Sequence, residues 1–392
     1  MSYKWLKGLA AALALSISLG VVTGCSGGES SAAEGTAEAL ETTETKEPEA
    51  IKIGYIFNGD CSVNGFDNDI NKQRIHAASH TSIETEYIDR VSISGFEAAV
   101  EKLVADGCKY IVSCSPIFVN ILTNVAGKYM NVDFISYGAR ERSVNIYGYT
   151  ENMFQGSYIA GVAAAFNSEK ERIGIVIDSS MIYPMAVINA AALGAQMVYQ
   201  NCKTVVAVAT KDSEVNKAVD ALAADGCDVI IDYTTRGAAV ERCENLEIKS
   251  IGSYNYGADA ANYPNMLMYF YGTRDSFYLS QFKQIALEEW EVSSYSGTMA
   301  NGIIAVSDAL PACKDDTQAI MTKLEQKFSS SSASIFTGEI KDLHNSVRVI
   351  QGKELTYPEI YAMDWYVYGV EYLDSFVQSV SDLEATDYEI KH

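Results

Sequence analysis

Two kinds of apolar pattern alternate along this chain. Short unbroken apolar runs such as Tyr110-Ile111-Val112 suit parallel strands covered on both faces, and the stretches between them place apolar residues on one helical face. Strands are predicted over Ile51 to Phe57, Glu84 to Ile88, Lys109 to Ser113, Val132 to Tyr137 and Asn145 to Thr150. Helices between them end near Ser79 and run over Pro116 to Lys128 and Glu151 to Phe166. The last is rich in Gly and Ala and is expected to pack closely as a spine between two halves. A second alternating set spans Arg172 to about Asn255. Beyond it come a strand at Met266 to Gly272, a helix at Arg274 to Trp290, a strand at Ile303 to Val306, a helix at Asp315 to Ser329 and a strand at Ser346 to Ile350. A last helix is expected around Met363-Asp364-Trp365-Tyr366.

The pattern repeats in letter as well as in kind. Ala98 to Val112 (AAVEKLVADGCKYIV) and Lys217 to Ile231 (KAVDALAADGCDVII) share eight of fifteen residues at an offset of 119. Ala99, Val100, Leu103 and Val104 form the buried helix face, and Asp106-Gly107 supplies the stop. Lys52-Ile53-Gly54 and Arg172-Ile173-Gly174 recur 120 apart, and NVDFISYG recurs as NLEIKSIG at an offset of 114. Two β-α-β-α-β halves are the reading, with the long remainder crossing back to complete both.

Composition narrows the possibilities. The 392 residues exceed one small core, and the formal charge of −22 argues against nucleic acid as a partner. No two of Cys61, Cys108, Cys114, Cys202, Cys227, Cys243 and Cys313 make a C-x-x-C pair, and Cys108 and Cys227 read as small buried hydrophobes at strand starts. The first 25 residues read as an address: Lys4 and Lys7, an apolar stretch from Gly8 to Val22, then Val22-Thr23-Gly24-Cys25. That ending is a lipobox, with Cys25 the lipidated mature N-terminus and the protein anchored on the extracytoplasmic face of the cell membrane. Residues 26–50, Ser, Gly, Thr, Ala and Glu without an aromatic, read as a disordered tether.

Known catalytic motifs are missing from the chain beyond the tether: no G-x-S-x-G, P-loop, G-x-G-x-x-G or H-E-x-x-H occurs after residue 50, and the four His are scattered. The chain is read as a binding protein, not an enzyme, with no cofactor and no metal. Candidate ligand contacts lie where parallel strands end in βα loops, the place α/β sheets use for ligands. They are Asp60, Asn64 and Phe66 after the first strand, Ser115 and Phe118 after the third, Tyr233 in the second half, and Asn255 and Asp259 in the segment after its last repeated strand. Lys341 is a further candidate. Phe66 is the candidate stacking platform; Asp60 and Asn64 read equally well as helix caps.

FTGEIKD (Phe336 to Asp342), Met363-Asp364-Trp365-Tyr366-Val367-Tyr368-Gly369-Val370, Ser157-Tyr158-Ile159-Ala160-Gly161 and the opening Gly59 to Phe66 together resemble the basic membrane protein family of lipoproteins. These are the purine-nucleoside-receptor type of ABC transporter substrate-binding protein. The resemblance covers most of Ile51 to Asp374. It departs at Val63, where the family often has an acidic residue, and at Asn301-Gly302, where Asp-Gly is usual; Asn301 is a candidate contact on that ground. The resemblance implies a type I periplasmic-binding-protein fold, two Rossmann-like doubly wound lobes joined by a hinge. It implies a nucleoside-like ligand stacked on an aromatic such as Phe66, an ABC permease as partner, and a monomer held to the membrane by its lipid anchor. The expected division is 1–25 signal peptide, 26–50 tether, 51–155 first lobe completed by part of 290–392, and 156–289 second lobe. A sugar, a flavin or a signalling molecule serving a sensor is the alternative ligand reading. A surface lipoprotein without a transporter and an enzyme on the same scaffold are the competing classes.

Overall fold

The computed structural model describes residues 50–373, apart from 179, 210 and 331–333; the lipobox Cys25 and the signal peptide lie outside the described residues, as does the tether up to residue 49. The first repeat forms β1 (Lys52–Ile56), α1 (Phe66–Ser79), β2 (Glu84–Ile88), α2 (Phe96–Ala105), β3 (Tyr110–Ser113), α3 (Val119–Ala126), β4 (Asp133–Tyr137) and β5 (Ile146–Glu151). The second forms α4 (Phe154–Asn167), β6 (Arg172–Ile177), α5 (Pro184–Val198), β7 (Lys203–Val208), α6 (Asp212–Ala224), β8 (Val229–Tyr233), α7 (Ala238–Asn245), β9 (Lys249–Gly252) and β10 (Met266–Gly272). The two sheets run β2-β1-β3-β4-β5 and β7-β6-β8-β9-β10, the same order in each half. Every pairing between these strands is parallel. That order is the doubly wound one, with its switch points at β1/β3 and β6/β8.

The sequence repeat is a packing repeat. A Cβ built on Gly54 of β1 would lie 2.7 Å from Leu103 of α2, and one on Gly174 of β6 would lie 3.1 Å from Leu222 of α6. Both leucines belong to the repeated helix, so the same strand glycine receives the same helix leucine in each lobe. Cys108 and Cys227 are buried at the strand starts, and burial raises both thiol pKa values, to about 11 and about 12.

The Gly/Ala-rich helix α4 differs from the spine expected of it. It packs on α5 and against β10 and β8, inside the second lobe. A Cβ on Gly161 would lie 2.0 Å from the carbonyl oxygen of Ala191, and one on Gly194 of α5 would lie 2.1 Å from that of Tyr158. The small residues therefore bring two helices of one lobe into backbone contact.

The remainder returns to both sheets. α8 (Asp275–Ala286) packs on α1, and its Tyr278 hydroxyl meets that of Tyr149 at 2.5 Å. It lies with the first lobe, whereas the expected division put residues up to 289 with the second. β11 (Ser294–Gly297) adds parallel to β5, and β12 (Ile304–Val306) adds antiparallel to β10. After α9 (Thr317–Ser330) come the small ribbon β13 (Ile340–Lys341) and β14 (Val347–Val349), the short helix α10 (Tyr357–Tyr361), and β15 (Val370–Tyr372), which pairs parallel with β7. The last helix thus lies earlier than the expected Met363 to Tyr366. Pro358 and the Glu359 carboxylate, which accepts the Thr356 N–H at 2.8 Å, start it at Tyr357. Residues 363–367 are drawn off instead by Asn189 of α5, which donates to the Trp365 carbonyl at 2.7 Å and accepts the Val367 N–H at 2.9 Å.

Among the described residues the chain passes between the sheets at residues 151–154, 272–275 and 297–304. The crossings run side by side: Asn152 N–H donates to Gly297 O at 2.9 Å and Thr273 N–H to Ile303 O at 2.6 Å.

Candidate functional site

The βα loops at the carboxyl ends of the two sheets meet, and the first of them touches the opposite lobe through its backbone. Gly65, at φ +145, has space for no side chain: a Cβ there would lie 2.5 Å from the Thr235 carbonyl. Because it is glycine, the Phe66 N–H reaches that carbonyl at 2.9 Å, a backbone hydrogen bond across the lobes. Phe66 starts α1 with its ring 5.2 Å from that of Tyr137 at the end of β4. Asn58, Phe66, Asp67, Ser115, Pro116 and Tyr137 meet Ser180, Met181, Ile182 and Thr235 around a cavity of about 20 Å³. That space holds about one water molecule. A larger molecule would fit between these loops only with the lobes further apart.

A second contact line closes the rim. Asn64 donates to Asp259 at 3.2 Å, and both border a cavity of about 10 Å³ with Asp69, Lys72, Tyr254 and Tyr263. Behind Phe66 lies a buried ionic centre. Arg274, 2 % exposed on the crossing after β10, donates to Glu151 at 2.5 Å; Tyr137 donates to the same carboxylate oxygen at 3.2 Å. The guanidinium carbon lies 4.9 Å from the Phe66 centroid. Gln73 of α1 holds the crossing, accepting the Arg274 N–H at 3.2 Å and donating to Gly272 O at 3.3 Å.

Burial raises the Asp67 carboxyl to about 6 against the opposing Gly59 N–H and the positive charge of Arg236. Burial does the same to Asp69, also to about 6, against Arg274 and Lys72. Asp60, by contrast, is held at about 2 by hydrogen bonds from Ser62 and from Arg90.

Of the residues singled out from sequence, Phe66 and Ser115 border the cavity between the lobes, and Asn64, Asn255 and Asp259 the smaller one at the rim. Tyr233 is buried one layer behind, its hydroxyl donating to the Ile182 carbonyl at 3.0 Å. Four stand elsewhere. Asp60 turns outward to Arg90 and Ser62. Phe118 is fully buried against Phe96, ring to ring at 4.7 Å, because the turn that follows β3 points it into the outer core. Asn301 closes its own turn, accepting the Thr298 N–H at 2.7 Å and donating to Ser296 O at 2.9 Å. Lys341 pairs with Glu339 at 3.4 Å on the β13 ribbon, where it borders a cavity with α5 and Tyr368 rather than the cleft. Sequence reading missed Asn58, Asp67, Tyr137, Ser180, Thr235, Glu151 and Arg274. Asp67 and Tyr137 carried a usable signal, since one adjoins Phe66 and the other ends a strand; the crossing residues carried none.

The profile of the ABC transporter substrate-binding protein PnrA-like family matches residues 50–327. The chain belongs to this family. A purine-binding protein of Brucella abortus (strain 2308) is 24% identical over 333 residues, 82% of this chain and 93% of that protein. A provisionally named ABC transporter glucose-binding protein of Haloferax volcanii, TsgA13, is 23% identical over 326 residues, 79% of this chain and 82% of its own. Among solved structures, a solute-binding protein of an ABC transporter system from Aeropyrum pernix K1 superposes with a TM-score of 0.62 at 14% identity, covering 86% of this chain and 99% of that one. The fold is that of periplasmic-type solute-binding proteins. Membership makes the chain a substrate-binding component of an ABC transporter, with a small-molecule ligand, a permease partner and an extracytoplasmic place of work. No helix among the described residues is long and apolar enough to cross a membrane.

Proposed function

We propose that this protein binds a nucleoside-like molecule between its lobes and delivers it to an ABC importer, while a lipid on Cys25 holds it to the membrane. The observation that carries the ligand reading is the Phe66–Tyr137 pair at the seam, within a ring of Asn58, Asp67, Ser115, Ser180 and Thr235. An aromatic face takes a base, and carboxylate, amide and hydroxyl groups take sugar hydroxyls. The purine-binding relative from Brucella supports the same ligand class. A sugar is the second reading, supported by the glucose-binding name of the Haloferax relative.

Calorimetry on refolded, ligand-free protein with inosine, guanosine, adenosine, riboflavin, ribose and glucose separates them. Tight binding of nucleosides with weak binding of ribose and glucose is the expected result. Equal competition by ribose or glucose would show that the base is not read.

A further inference from the structure

The C-terminal segment lies beyond residues 50–327 matched by the family profile, yet it touches both lobes and two of the three crossings between them. It rides with the second lobe through the bonds of Asn189 to Trp365 and Val367 and through the β15–β7 pairing. Its Tyr361 hydroxyl donates to Asn152 Oδ1 at 2.8 Å and meets Ser296 Oγ at 2.9 Å, beside the first and third crossings. The Tyr361 ring stacks on Tyr183, centroids 4.3 Å apart and planes 13° from parallel. Tyr183 itself has φ 47 and ψ 54, a left-handed conformation that costs an L-residue with a bulky side chain and persists only under support. It ends the turn that carries Ser180, Met181 and Ile182 into the cleft.

Arg140 arrives from the other side. Residues 139–141 lie over Gly148 of β5, whose missing Cβ would stand 2.7 Å from the Ala139 carbonyl, so Arg140 belongs to the first lobe. Its Nη2 donates to the Tyr361 carbonyl at 2.8 Å, and its guanidinium carbon lies 5.3 Å and 5.5 Å from the Tyr183 and Tyr361 centroids.

We propose that Arg140 and Tyr361 form a latch that holds the lobes closed without ligand and thereby sets the affinity of the cleft. A guanidinium against two stacked rings, with a charge-assisted hydrogen bond, stabilises only the arrangement in which the lobes meet. A ligand that needs the closed form binds in proportion to its population. Loss of the latch shifts the closed-to-open ratio by roughly five- to thirtyfold.

The test uses the full chain, ligand-free, with fluorophores placed through unnatural amino acids at the exposed Ser62 and Asn262, one on each lobe. Arg140→Ala is expected to lengthen the mean separation, Arg140→Lys to lengthen it less, and Tyr361→Phe to leave it unchanged, since the ring and the carbonyl remain. Thermal melting reports whether each variant is folded; Arg140→Lys, which keeps charge and stem, reads the same distance should Arg140→Ala fail to fold. An unchanged separation in folded Arg140→Ala overturns the latch. So does an equal opening in Tyr361→Phe, which would put the restraint in the hydroxyl bonds at the crossings.

Discussion

Arg274 and Glu151 meet at 2.5 Å although 123 residues separate them, and each stands where the chain passes from one lobe to the other. Glu151 is wholly buried and Arg274 nearly so, and the second Glu151 oxygen and the Arg274 Nε have no hydrogen-bond partner among the described residues. Such a pair is costly to break and of modest net worth when whole. Arg274→Met is expected to cost about 3–5 kcal/mol, because it strands a buried carboxylate. Arg274→Met with Glu151→Gln should recover much of that loss. Urea denaturation of the two single variants and the double variant gives the coupling; additive losses would show that the pair does not act as a unit.

The aromatic platform makes a second prediction. Base–aromatic stacking is worth about 1–3 kcal/mol by alanine substitution, so Phe66→Ala should weaken a nucleoside-like ligand by roughly ten- to a hundredfold. Phe66→Trp should largely retain binding. Titration calorimetry reads both, and equal affinity in wild type and Phe66→Ala would remove Phe66 from the site.

Acid should stabilise this protein before it destabilises it. Burial raises the carboxyls of Asp67, Asp69 and Asp232 to about 6, above the value of about 3.9 in an unfolded chain. Between those values the folded state holds protons that the unfolded state has released, so stability rises as pH falls from neutrality through 6 toward 4. Asp60, held at about 2, has the opposite sign: its contribution is full above its unfolded value and is lost as pH falls below about 4. The melting temperature should therefore rise from about pH 7 to a maximum near pH 4, and Asp67→Asn should flatten the rise. A melting temperature that declines steadily from pH 7 downward would contradict this.

Two glycines separate steric from conformational cost. Gly161→Ala drives a Cβ to 2.0 Å from the Ala191 carbonyl and must push α4 from α5, an expected loss of about 3 kcal/mol or more. Gly107→Ala, at φ +93 with nothing within 4 Å of the new carbon, should cost only the strain of about 1–2 kcal/mol. Chemical denaturation ranks them; the reverse order would deny close packing between α4 and α5.

The anchor is tested in cells. Cys25→Ala should move the protein out of the membrane fraction, and tight retention of that variant would point to another mode of attachment.

The sequence by itself determined the repeated β/α units. Apolar runs, helix faces and Gly stops act over a few residues, so β2 and β10 stand at Glu84–Ile88 and Met266–Gly272, the bounds read from the letters alone. Where the signal was distant or mixed, the letters misled: α4 became a partner of α5, α8 joined the first lobe, and Met363 to Tyr366 gave up helix for the bonds of Asn189. The cleft was legible only as a neighbourhood of βα loops. Phe66 and Phe118 both follow a parallel strand, yet one faces the opposite lobe and the other the outer core, and no local pattern distinguishes them. Only tertiary structure decided that choice, together with the pairing of Arg274 to Glu151 and of Arg140 to Tyr361. A strand or a helix is specified by its own neighbours in sequence, whereas a side chain between two lobes is specified by atoms more than a hundred residues away.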